Sequence, residues 1–208
     1  MSPDPEPTPT QADLVARLDL METMIAEGRR ATGRCGWIFV LWGLVDLAGM
    51  ALQWEHPYHA WNWPVVITIG MVLQSAGFAL YCRGGRICGP NIKGRAVSAI
   101  WSMMGLTLAL YCFTAIFTHH AWGSGYLAAI FMIIGLAHAT SAIILRWGVQ
   151  GAVAALFWAG GIACFFVSGN WFLAIFCVEM LFGMVFFGLY AMWLERGGPG
   201  SPTVPAHA

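Results

Sequence analysis

From Cys35 to Trp54 the chain carries twenty residues with one charge, Asp46, and a Trp near either end. At 1.5 Å rise per residue, a helix of that length reaches about 30 Å, the thickness of a bilayer's hydrocarbon core. Inside that core every backbone amide must be satisfied within the segment itself, which selects a helix. Five further apolar segments follow, at 63–82, 96–118, 126–145, 151–168 and 171–194. The fold class read from this pattern is all-α: a polytopic membrane protein with a six-helix transmembrane bundle over 35–194.

Composition supports the same reading. Of 208 residues, 59% are hydrophobic and 10% charged, whereas soluble domains run near 45–50% and about 25%. A single soluble domain of this size has no core large enough for that surplus, so lipid must supply the apolar surroundings. The net charge is zero, with no basic stripe or recognisable module for nucleic acid. The start of the chain lacks the basic-then-apolar order of a cleavable signal, so the N-terminus is expected to be retained. Cys35, Cys82, Cys88, Cys112, Cys164 and Cys177 lie mostly in or beside apolar segments. They read as small hydrophobes rather than as a disulfide framework.

Residues 1–10 alternate Pro with small or acidic residues and read as a disordered tail, as do the Gly- and Pro-rich residues 195–208. Between the first tail and the first span, residues 11–27 have helical periodicity. Thr10 and Asp13 resemble a capping box, and Leu14, Leu18, Met21 and Ile25 fall on one stripe. Gly28 is the expected stop. The polar face carries Asp13, Asp19, Glu22 and Glu27 against Arg17. A helix that rests on anionic lipid is instead rich in Lys and Arg. The stripe is therefore expected to dock a protein partner or a second copy, or to tuck under the bundle.

Charge sets the orientation. Arg17, Arg29, Arg30 and Arg34 precede the first span; Arg83, Arg86, Lys93 and Arg95 lie between the second and third; Arg146 lies between the fourth and fifth, and Arg196 follows the sixth. With six spans, every Lys and Arg falls on one side. The positive-inside rule makes that side cytoplasmic, with both termini there and the chain multi-pass in the cell membrane. The opposite loops carry Trp54, Tyr58, Trp61, Trp63, Trp122, Tyr126 and Trp171, residues that favour the headgroup level. In the fifth span Gly151, Ala155, Ala159 and Ala163 recur every fourth residue beside Gly160 and Gly161. That spacing lets helices approach closely.

Two constellations could carry chemistry. Asp46, Gln74, His138 and Glu179 stand within about 6 Å of the midplane when successive helices alternate in direction. An ionisable group in a span is a functional candidate by default. It also serves as an interhelical hydrogen bond when protonated. On the outer side, Glu55, His56 and His59 occupy the first loop, and His119 and His120 end the third span. Imidazole and carboxylate suit zinc, copper or haem iron, but the spacing fits no defined motif, and no cofactor is expected. No catalytic constellation stands out. Three functional readings follow: a non-enzymatic accessory or regulatory membrane protein that docks a partner through residues 11–27; a small proton- or cation-coupled transporter using Asp46 and Glu179; and a metal- or haem-binding redox protein.

Overall fold

The computed structural model describes residues 10–56, 62–83, 92–118, 123–167 and 171–197. The tail residues 1–9 and 198–208 lie outside them, as do His59, His119 and His120. The described chain is helical: α1 (Gln11–Arg34), α2 (Gly36–Glu55), α3 (Asn62–Arg83), α4 (Ile92–Phe117), α5 (Ser124–Leu145), α6 (Gly148–Ala163) and α7 (Trp171–Glu179), followed by a π-helical segment Met180–Phe186 and α8 (Phe187–Gly197). The last three run on as one helix. Five helices are long and apolar enough to cross a membrane, and α6 is a shorter apolar one. The chain is a polytopic helical membrane protein.

Local sequence explains these helices. Pro64 sits in the first turn of α3, where its missing amide breaks no helical bond. Hydroxyls inside the spans return their protons to the backbone one turn earlier: Thr68 to the Pro64 carbonyl at 2.6 Å, Ser75 to Met71 and Thr107 to Met103 at 2.8 Å. Each polar group is thereby satisfied without a neighbour or water. The turn between α5 and α6 is tight. Arg146 takes the left-handed conformation (φ 49°), and the Trp147 amide donates to the Ala142 carbonyl at 3.0 Å.

Helices adjacent in packing run antiparallel, and glycine sets how near they come. On α2, a Cβ at Gly36 would stand 2.7 Å from the Gly188 carbonyl oxygen, and one at Gly43 would stand 2.7 Å from Val185. These two glycines, seven residues apart, seat α2 against α8 and the π segment. On α3, Gly70 faces Val45 and Gly77 faces Trp37 in the same way. α3 thus lies along α2, α4 along α5, and α5 forms a long hairpin with α6. The core gathers Phe39, Phe131, Phe157, Phe176 and Phe187 where α2, α5, α6, α7 and α8 meet.

Two expectations need correction. First, α1 does not stop at Gly28 but continues to Arg34. Gly28, Thr32 and Gly33 are buried, and a Cβ at Gly33 would lie 2.9 Å from both the Ala191 carbonyl oxygen and the Glu195 Cβ. Close packing on α8 offsets the roughly 1 kcal/mol that a mid-helix glycine costs. Second, the small-residue ladder of α6 packs only in part: Gly160 and Gly161 beside it are buried, and Gly151 and Ala163 are half-buried. Ala155 and Ala159 are exposed, whereas Val153, Ala154 and Phe157 are buried. α6 is packed against its neighbours, but mainly through the adjoining face.

Candidate functional site

His138 is fully buried on α5. Its ring stacks on Phe157 at 5.5 Å and 15° and meets Trp101, Phe187 and Phe39 at centroid distances of 4.9, 5.2 and 5.7 Å. Neither ring nitrogen has a hydrogen-bond partner among the described residues. The imidazole therefore serves the core as an aromatic plate and is not the hydrogen-bond partner of either intramembrane acid. Beside it the Trp101 indole donates to the Ser141 hydroxyl at 3.1 Å, tying α4 to α5.

Gln74 has a structural partner: the Trp42 indole donates to its side-chain oxygen and so ties α2 to α3. Asp46, half-buried one turn beyond Trp42, lies within electrostatic reach of Cys112 on α4. The midplane residues thus divide among separate environments rather than forming one hydrogen-bonded layer.

Glu179 stands apart from them. It is 2% exposed, at the end of α7, with the π segment beginning at the next residue. Its carboxylate rests on Gly160 of α6, where a Cβ would fall 2.0 Å from Oε1. A side chain there would force the carboxylate to move. Oε2 has no hydrogen-bond partner among the described residues. Glu179 also lines a groove of about 410 Å³ between α6 and α7, whose other lining residues include Ala159, Gly160, Ala163, Trp171 and Ala174. Asp46 does not line this groove.

The role of Gly160 as the seat of the carboxylate escapes sequence reasoning, because one glycine among several small residues carries no mark of its neighbour. Gln150 was missed as well. It is fully buried near the start of α6, and both side-chain polar atoms lack partners among the described residues. A lone amide inside an apolar helix was the available signal.

On the outer side, Glu55 ends α2 and His56 caps it, both exposed. The Asn62 amide donates to the His56 carbonyl at 2.8 Å and closes the mouth of that loop. Among the described residues no three His, Cys, Asp or Glu side chains gather as a metal site would require. Cys35, Cys112, Cys164 and Cys177 form no disulfide among the described residues.

The start of α1 is the other distinctive surface. Thr10 and Asp13 cap it reciprocally. The Thr10 hydroxyl and amide donate to Asp13 Oδ2 at 2.6 and 3.0 Å, and the Asp13 amide donates back to Thr10 Oγ1 at 3.3 Å. These bonds hold the Asp13 carboxyl below the usual range. Leu14, Leu18 and Met21 are 49%, 58% and 51% exposed, and Ile25 is half-buried where the helix reaches the bundle.

The chain matches no protein-family model, no curated protein and no solved structure.

Proposed function

We propose that this protein is a non-enzymatic accessory or regulatory component of the cell membrane, and that the outer half of α1 docks a partner protein. The observation that carries this reading is the contrast between the two halves of one continuous helix. Its second half is fastened to α8 through Gly33, while Leu14, Leu18 and Met21 on the first half remain uncovered. A rigid projecting helix loses little entropy on binding, so its apolar stripe contributes more fully to affinity. Exposed side chains beside the stripe include Asp13, Asp19 and Glu22, with Arg17 as the one described cation on that half. Like charges oppose a parallel self-pairing. The complementary occupant is a partner helix with Lys or Arg beside its own apolar stripe. The acidic face disfavours anionic lipid for the same reason.

The positive-inside rule places α1 in the cytoplasm, with both termini on that side. The test is photo-crosslinking from position 18 of the full chain in native membranes. The expected product is one protein adduct, lost in the double variant Leu14→Glu/Met21→Glu and bearing a basic amphipathic helix. Adducts with lipid alone, or with a second copy of the chain, would overturn the assignment.

A further inference from the structure

We propose that Glu179 and the groove beside it bind a protonated lipophilic amine drawn from the bilayer, a function separate from the docking of α1. The argument begins with an unmet electrostatic demand. A carboxyl group shielded from water in an apolar setting needs a proton, a cation or hydrogen-bond donors. Glu179 is 2% exposed, and its Oε2 has no partner among the described residues. Residues 148–194, which supply both walls of the groove, contain no Lys, Arg or His. A cation that pairs with this carboxylate therefore comes from outside these helices.

The groove shows where such a cation enters. Its volume of about 410 Å³ lies within the range of small-molecule sites. Ala159 and Val178 line it and are exposed on the outside of the bundle, the surface that faces acyl chains. The opening is therefore lateral, toward lipid. Its walls are apolar, so an alkyl chain fits along it while an N–H at its end donates to the Glu179 carboxylate where that residue lines the groove. Trp171 stands at one end of the lining, eight residues from Glu179, or about 12 Å along the helix. That depth is too great for the ammonium of a two-chain phospholipid, which stays at the headgroup level. It suits a single-chain amine.

Two details of the backbone suit a binding site. Gly160 leaves room for the carboxylate to lie flat against α6. The π segment starts directly after Glu179, and such wide turns recur at functional sites. Gly183 within the π segment admits the Phe157 ring, which would stand 2.5 Å from a Cβ there.

Affinity for dodecylamine, with dodecanol as the uncharged control, tests the proposal on the full chain in phosphatidylcholine nanodiscs. Dodecylamine is expected to raise the unfolding temperature saturably and dodecanol to leave it unchanged. Glu179→Gln and Ala159→Leu are each expected to weaken dodecylamine at least tenfold, the first by removing the charge and the second by filling the groove. Equal effects of amine and alcohol, or undiminished affinity in either variant, would overturn the proposal. If Glu179→Gln fails to fold, Ala159→Leu decides, because its side chain points outward and the carboxylate stays in place. Loss of dodecylamine binding on adding phosphatidylethanolamine would assign the site to a lipid headgroup and overturn the single-chain amine.

Discussion

His138 shows how far the role of one residue depends on its neighbours. An imidazole among apolar helices suggests a ligand or proton carrier, yet here it stacks on Phe157 and leaves both nitrogens unpaired among the described residues. An unmet buried polar group costs about 1–3 kcal/mol. His138→Phe keeps the ring and removes that cost, so it is expected to be neutral or to stabilise by up to about 2 kcal/mol in thermal unfolding. His138→Ala opens a cavity and should cost about 3 kcal/mol. Asp13 gives the opposite lesson, since the Thr10–Asp13 spacing in sequence names the bonds found. Because Thr10 lowers the Asp13 pKa in the folded state, the cap's contribution is present above the unfolded pKa and is lost as pH falls through the folded one. Spin-label mobility at position 11 should therefore rise below about pH 4, and Thr10→Ala should raise it at neutral pH and flatten that response.

At the scale of the helix, apolar length is legible in sequence and helix–helix contact is much less so. All six apolar segments become helices, because hydrocarbon leaves the backbone no other way to pair. Which face each helix presents depends on its partners. The α6 ladder had the right spacing for close packing, yet Ala155 and Ala159 look outward, while the buried face centres on Phe157, Gly160 and Gly161. On α2, by contrast, Gly36 and Gly43 do bring backbones together. The difference is measurable. Gly36→Ala would drive a methyl group into the Gly188 carbonyl, which is backbone and cannot swing aside, and should cost about 1–3 kcal/mol. At Gly151 the nearest atom to a new Cβ is Ala142 Cβ at 3.8 Å, so Gly151→Ala should instead stabilise by about 0.5–1 kcal/mol through helix propensity. The π segment had no sequence signal. It accommodates Phe157 against Gly183, a contact between residues 26 positions apart.

For the whole molecule, the packing of α1 on α8 constrains how many times the chain crosses the membrane. Gly33, just before α2, touches Ala191 and Glu195 near the end of α8. The two ends of the bundle's chain therefore lie at the same end of the molecule, which requires an even number of crossings between them. Five helices qualify by length and composition, so the short α6 is expected to make the sixth. At 16 residues it rises about 24 Å. Backbone bonds prolong its last turn, with the Cys164 amide donating to Gly160 at 3.0 Å and the Val167 amide to Ala163 at 3.2 Å. A span somewhat shorter than the bilayer is accommodated by modest local thinning. The charge pattern favours the same parity, because six crossings put every Lys and Arg on one side. Single cysteines introduced at Gln11, Ser124 and Arg196, in a chain with its six native cysteines replaced, test this against a membrane-impermeant maleimide. Positions 11 and 196 should react from one face of the membrane, the face carrying the positive loops, and position 124 from the other. Labelling of 11 and 196 from opposite faces would mean that α6 lies within the membrane without crossing it. The groove beside Glu179 would then open at a different depth, and the contact between Gly33 and α8 could not survive in the membrane.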